Sequence, residues 1–203
     1  MTSSLAVTLH GRYVTLTPLL LADVPGLVRA GSEDRSTYQF SDVPETAEAM
    51  HDTVVKLLVE QDALLGVPFA TRNSATGEIV GMTRFLSLRW WFERDFPDAA
   101  EIGGTFLAAS SQRSPINTEA KLLMLGHAFD VWAVERLDLK TDARNERSRR
   151  AIERVGAKLD GVLRHWQPSM AAGEAGRPRD SAIYSIIPSE WPGIRLQLTE
   201  RLE

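Results

Sequence analysis

The chain has 203 residues, 43% hydrophobic and 25% charged, with a net charge of −4 and no cysteine. This length and mixture suit one sizeable soluble domain, and the missing cysteines exclude disulfides, thiolate metal sites and a cysteine nucleophile. A slightly acidic chain has no global field drawing it to nucleic acid or anionic lipid, and no run approaches the roughly 20 apolar residues that span a bilayer. Met1–Val7 lacks the basic start and apolar stretch of a signal peptide. The expectation is one cytoplasmic domain over residues 1–203, without nucleic-acid or membrane partners.

In chain order, Tyr13–Leu19 is β-branched and holds Pro18, which predicts a first strand. Leu20–Ala30 reads as a short helix, and polar Glu33–Pro44, with Tyr38 and Phe40 inside it, as a loop. Thr46–Leu64 places Ala47, Met50, Val54, Leu57 and Leu58 near helical spacing. Val67–Arg72 and Ile79–Phe92 form a predicted hairpin about Asn73–Gly77. Asp98–Ala109 is the fourth predicted strand, interrupted by Gly103 and Gly104, which suggest a bulge or a close backbone approach.

The second half alternates helix and strand. Pro115–Ala133 opens with Pro at a first helical turn and carries Leu122, Leu125, Ala128, Phe129 and Trp132. Glu135–Thr141 alternates as a half-buried fifth strand, and Asn145–Val155 is a charged helix stopped at Gly156. Lys158–Trp166 and Arg179–Ile187 make a last strand pair joined by the Gly/Pro-rich Gln167–Pro178. About seven strands and four helices in this order give an α/β (α+β) single domain.

Several blocks carry a resemblance. They are Glu101–Leu107, Gln112–Lys121, Leu139–Ser148, Ala151–Ala157, Gly161–Arg164 and Asp180–Trp191. Together they resemble the GNAT N-acetyltransferase superfamily, in the branch of the RimJ/RimL protein N-terminal acetyltransferases, over about residues 10–200. The resemblance implies a mixed sheet whose fourth and fifth strands splay apart, acetyl-CoA as the acyl donor, and a primary amine as acceptor. It also implies that the pantetheine arm lies along the fourth strand at Phe106, Leu107 and Ala108.

A helix start offers unpaired N–H groups and partial positive charge, which suits a pyrophosphate. Gln112, Arg113, Ser114, Ile116, Asn117 and Thr118 occupy that position in the resembling pattern, although an ordinary capped helix would use Asn117 and Thr118 in the same way. The family's small residues are replaced here by Pro115 and Asn117. Asn145 and Ser148 stand three apart at a helix start, as a local cap or, by resemblance, beside the pantetheine and thiol. Of the basic stretch Arg147, Arg149, Arg150 and Arg154, most reads as a solvated face.

By resemblance the amine attacks the thioester directly, with no acyl-enzyme. Glu101 is the candidate base, directly or through water, or else a structural carboxylate. The leaving-thiol acid cannot be copied, because Ile152 stands where many relatives carry tyrosine, and Ser148 is the replacement candidate. Tyr184 and His127 read as packed residues, the latter as a satisfied structural histidine, and no histidines show metal-ligand spacing. The acceptor is expected where Glu33–Pro44, Trp90-Trp91 and Gln167–Pro178 meet, with the two tryptophans equally suited to core or homodimer contacts. A protein N-terminus leads among acceptors. A small amine (amino acid, polyamine or antibiotic) and a CoA-binding module without turnover, suggested by Pro115 and Ile152, are the competing readings.

Overall fold

The computed structural model describes residues 5–203; Met1–Ser4, part of the stretch read as a poor signal peptide, lie outside the described residues. The strands are β1 (Leu9–His10), β2 (Val14–Pro18), β3 (Gly66–Asn73), β4 (Ile79–Arg89), β5 (Ala99–Leu107), β6 (Arg136–Asp142), β7 (Lys158–Pro168) and β8 (Pro178–Ile186). The helices are α1 (Val24–Ser32), α2 (Ala47–Asp62), α3 (Pro115–Gly126), α4 (Glu146–Val155) and α5 (Trp191–Glu200). One sheet of 8 strands runs β1-β2-β3-β4-β5-β6-β8-β7. All neighbours are antiparallel except β5 and β6. The eighth strand beyond the expectation is the short β1, and the fifth helix is α5. Both are terminal elements held by tertiary contacts rather than by strong local pattern.

Two apolar clusters sandwich the sheet. On one face Leu27, Val54 and Leu57 from α1 and α2 meet Ala70, Met82, Phe106 and Ala108. On the other, α3, α4 and α5 pack through Met124, Ile152 and Ile194 against Phe85, Ile102, Leu139 and Tyr184. The third predicted helix ends earlier than its apolar pattern suggests. After Gly126 the chain makes a π turn over His127–Val131, with the Trp132 amide donating to the His127 carbonyl at 3.1 Å. This extra residue in the turn brings the Trp132 ring within 4.9 Å of His127 and 4.6 Å of Phe85.

A buried carboxylate fastens α3 to the start of the sheet. Glu119 accepts the Arg12, Tyr13 and Val14 amides at 2.9, 2.6 and 2.8 Å. At the other end of the fold, Gly156 closes α4 in the left-handed region at φ 109, as its position after the charged helix predicts.

Candidate active site

Beyond its middle, β5 leaves β6. Their parallel rungs run from Ala99↔Arg136 to Ile102↔Leu139, while β5 continues to Leu107 and β6 to Asp142. The separation begins at Gly103 and Gly104, where β5 also shifts register against β4. Gly104 adopts φ 57, and a Cβ there would stand 3.0 Å from Arg84 Nε, so this bulge admits glycine with least strain. The splay therefore has a local cause in the sequence.

The backbone lining this gap is more restricted than the sequence suggests. The Ala108 amide donates to the Val80 carbonyl at 2.7 Å, and Phe106 pairs with Met82. By strand alternation both turn their main-chain groups to β4, and their side chains enter the α1/α2 core. Leu107 alone of the three turns its backbone to the gap. Its carbonyl already accepts from Tyr38 Oη at 2.8 Å and Gln112 Nε2 at 3.0 Å, which leaves its amide for a ligand.

Gln112 is a tie rather than a free contact. Its Nε2 also donates to Thr37 Oγ1 at 3.1 Å, and its Oε1 accepts from Arg147, so it joins the 33–44 segment, the end of β5 and α4. Ile116 is likewise turned into the core at 5% exposure and has only its backbone near the helix start. Ser114 caps α3, donating to the Ser111 carbonyl at 2.6 Å and accepting from the Ile116 amide at 3.4 Å, with Pro115 as the first helical residue. Arg113 is exposed, and its guanidinium has no ion pair among the described residues. Asn117 and Thr118 lie half-buried on the first turn. An exposed cation beside a helix start, with Ser114 in the cap, fits a pyrophosphate.

Arg113 holds φ 59, a left-handed conformation that disfavours a side chain. The loop thus keeps a glycine-like bend where the family's glycines would ease it.

Across the gap Asn145 caps α4, its Oδ1 accepting the Ser148 amide at 3.0 Å. Ser148 is half-buried, and its hydroxyl has no partner among the described residues. Ile152 is buried against the core and cannot replace an acid. Tyr184 is fully buried, its hydroxyl accepting from Arg149 Nε and donating to Glu153 Oε1, both at 3.0 Å.

Glu101 sits one rung before the splay, facing Leu86 on β4 and Asp138 on β6. It is buried, and its Oε2 accepts from Lys140 Nζ at 3.1 Å. Burial raises its pKa, while Lys140 and more weakly Arg84 pull it down and Asp138 pushes it up, for a net rise. A carboxyl poised above its ordinary range is better matched to accept a proton near neutrality.

Cross-strand pairing puts Glu101, Asp138, Lys140, Asp142, Ser181 and Ser185 on one face. That is the face on which α1 and α2 pack, but those helices lie against β3, β4 and β5. Over β6 and β8 the same face is a polar strip.

The segments expected around an acceptor are brought together only in part. Arg144 ion-pairs with Asp142 at 2.7 Å and Glu174 at 2.8 Å, and its guanidinium lies 5.5 Å from the Phe40 ring. The 33–44 and 167–178 segments therefore converge at the splay end. Trp90 and Trp91 do not join them. Rungs from Gly81↔Leu107 to Arg89↔Ala99 carry β4 to the opposite end of the sheet, where Asp98 accepts the Trp91 and Phe92 amides at 2.6 and 3.0 Å. Both tryptophans are exposed, so a core role is ruled out.

His127 also differs from its expected satisfied state: it packs between Phe85 and Trp132, and its buried Nε2 has no hydrogen-bond partner among the described residues. Burial lowers its pKa, which keeps it neutral. Sequence reasoning missed Lys140 and Arg179. Lys140 had a signal in the alternation of Arg136–Thr141, which sets it two residues from Asp138 on the polar face. Arg179 opens a strand beside a polar loop and had none. No group of residues suited to a metal ion, and no helix long and apolar enough to cross a membrane, occurs among the described residues.

A model of the acetyltransferase (GNAT) domain matches residues 14–158. Among solved structures, an acetyltransferase from T. thermophilus is 35% identical, with 97% of each chain covered and a TM-score of 0.78. A GCN5-related N-acetyltransferase from Brucella melitensis is 28% identical over 98% of this chain and 86% of that one, at 0.81. Mycobacterium smegmatis RimJ, in complex with CoA-disulfide, shares the fold at 20% identity and a TM-score of 0.81, covering 99% of this chain and 97% of its own. Among curated proteins none matches the chain in sequence. With a splayed sheet and a cationic helix start in the matched region, the chain belongs to the GNAT acetyltransferase family and is an acetyl-CoA-dependent N-acetyltransferase.

Proposed function

We propose that this enzyme acetylates the primary amine of a protein N-terminus, as a RimJ/RimL-like member of the family, by direct attack on the thioester of acetyl-CoA. The observation that carries this reading is the position of Glu101. It is a buried carboxyl one rung before the splay, on the polar strip that continues over β6 and β8. Polar groups along that strip can bond the backbone of a peptide beyond its reacting amine, which favours a protein N-terminus over a small amine held by walls on every side.

In this reading Arg113, Ser114, Asn117 and Thr118 hold the pyrophosphate, with the Leu107 amide and Asn145 along the pantetheine arm. Glu101, directly or through one water, takes the proton from the attacking amine, and the bond from carbon to sulfur breaks as the new amide forms. Ser148, whose hydroxyl is free of other bonds, donates a hydrogen bond to the departing thiolate.

The test is thiol release from acetyl-CoA with a panel of N-terminal peptides and free amines. Peptides should be turned over with higher kcat/KM than any free polyamine or aminoglycoside, and Glu101→Gln should remove most turnover while leaving acetyl-CoA binding by calorimetry nearly unchanged. Turnover confined to small amines would overturn the acceptor, and full activity of the variant would remove Glu101 from the chemistry.

A further inference from the structure

On β8, a buried arginine is claimed by no carboxylate. Arg179 is 7% exposed, and its Nε donates to Ser181 Oγ at 3.3 Å. Burial lowers its pKa, and the carboxylates whose fields oppose this are Asp142 and then Glu101; the Arg144 cation also faces it. Both carboxylates are engaged elsewhere, Asp142 by Arg144 and Glu101 by Lys140. Among the described residues no ion pair reaches Arg179, and its two Nη groups have no hydrogen-bond partner. Neither belongs to the unpartnered polar atoms that are sealed from solvent, so the fork keeps contact with solvent.

Register gives the direction. Ser181 faces Asp142, and Ile183 faces Lys140. Arg179, two residues before Ser181, therefore stands on the polar strip with Glu101. In the reading above the pyrophosphate lies at the start of α3, which packs on the opposite face of the sheet, so this arginine is not among the groups assigned to the phosphates. A buried guanidinium with unused donors is unfavourable, and its planar fork matches a carboxylate. A doubly charged phosphate would be repelled by Asp142 and Glu101 more than a singly charged carboxylate.

We propose that Arg179 binds a carboxylate carried by the acceptor while the acceptor's amine faces Glu101, so that the enzyme selects amines with a carboxylate close by. This rests on the acetyl-transfer reading above and deepens it. The carboxylate can come from an aspartate or glutamate side chain at a peptide N-terminus or from the α-carboxylate of a free amino acid.

The experiment compares peptides beginning with Asp or Glu with their Asn or Gln counterparts, and free amino acids with their amides, on wild type, Arg179→Gln and Arg179→Lys. Wild type should prefer the carboxylate form by about tenfold or more in kcat/KM, the weight of one charge-assisted hydrogen bond. The preference should reside in KM, vanish in R179Q and return in part in R179K, which keeps the charge but not the fork. Preference among peptides assigns the carboxylate to a side chain, and preference among amino acids assigns it to the α-position.

Equal use of both forms by wild type, or a preference that survives in R179Q, would overturn the proposal. Calorimetry on CoA-saturated protein separates its failure from that of the acceptor reading. If no amine is acetylated but carboxylates still bind wild type about tenfold more tightly than R179Q, the reading of turnover fails and recognition by Arg179 stands. If acetylation proceeds without any carboxylate dependence, recognition alone falls.

Discussion

Lys140 Nζ donates to Glu101 Oε2 at 3.1 Å across adjacent rungs of β5 and β6, immediately before the two strands part. The other acids on this strip are occupied, Asp138 by Arg89 and Arg136 and Asp142 by Arg144, so Lys140 has Glu101 to itself. The pair sets a compromise. Burial drives the Glu101 pKa up, and the ammonium keeps that rise in check.

Replacing Lys140 by Met should therefore raise the Glu101 pKa further. The acidic limb of the kcat/KM profile should move to higher pH, with severalfold loss below neutrality and a largely retained plateau. The stability sign is the same. Because folding holds this proton more tightly than the unfolded chain does, the contribution of Glu101 is full below its unfolded pKa and is lost as pH rises through the folded one. Lys140→Met should move that loss to higher pH, and an unmoved profile would show that Glu101 does not govern the rate.

Ser148 has a narrower role. Its amide is fixed by Asn145 Oδ1, while its hydroxyl has no bond among the described residues. Ser148→Ala keeps the cap and removes only that hydroxyl. We expect kcat to fall about tenfold, the weight of one hydrogen bond made in the transition state, with the KM for acetyl-CoA unchanged. A thioester with a better leaving group should recover part of the loss. Equal kcat for variant and wild type would exclude the hydroxyl from departure of the thiol.

Much of this molecule is legible in its sequence because local chemistry and global fold agree. Gly103-Gly104 interrupts an otherwise regular strand where the sheet opens, and Gly156 ends α4 in the left-handed region a glycine favours. Thr46 and Asn145 mark helix starts and cap them, whereas α3 is capped by Ser114 and not by Asn117 or Thr118 as its sequence suggests. What stays hidden depends on partners far away in the chain. That Ala108 faces β4 and Leu107 the gap is a matter of strand phase, which a bulge resets. Gln112 reads as a phosphate contact until Thr37 and Arg147, 75 and 35 residues away, take its side chain. Trp90 and Trp91 read as acceptor residues because sequence does not tell which end of a strand faces a site.

Glu119 illustrates a carboxylate whose work is structural. It holds three consecutive amides of the turn into β2 and thereby fixes the position of α3, whose start bears the loop proposed to hold the pyrophosphate. Glu119→Ala leaves those amides without partners in a part-buried setting. At about 1 kcal/mol or more for each, the loss should reach roughly 3 kcal/mol and lower Tm by about 6–12 °C for a domain of this size. Glu119→Gln, which retains acceptor oxygen, should recover a good part. A melting change within about 1 °C for the alanine variant would show that the turn finds other acceptors.

Arg113 combines a useful cation with an awkward backbone at φ 59. Arg113→Gly should relieve the left-handed strain and raise stability by about 0.5–1 kcal/mol, while weakening acetyl-CoA binding through loss of the charge. Arg113→Ala loses the same charge but keeps a Cβ, so it should bind as weakly without melting higher. Calorimetry and thermal melts on the two variants separate the contributions. Equal melting of both would mean that the loop relaxes around the side chain.

Lys121 is buried in α3 with no carboxylate paired to it among the described residues, its ammonium donating to Thr105 Oγ1 at 3.0 Å and Thr83 Oγ1 at 3.4 Å. Burial lowers its pKa to about 8 from an ordinary 10.5. Between those values the unfolded chain binds the proton and the folded one releases it, so stability rises with pH across that window. The charge therefore opposes folding at pH 7 by about 3 kcal/mol. Lys121→Met removes the charge at similar volume, and Thr83 and Thr105 still bond each other at 2.8 Å. The variant should be more stable than wild type at pH 7 by up to about 3 kcal/mol, with a difference that shrinks as pH is raised from 8 to 10.5. Denaturant titrations at several pH values measure this directly, and a variant less stable than wild type at pH 7 would mean that the two threonines stabilise the ammonium more than burial penalises it.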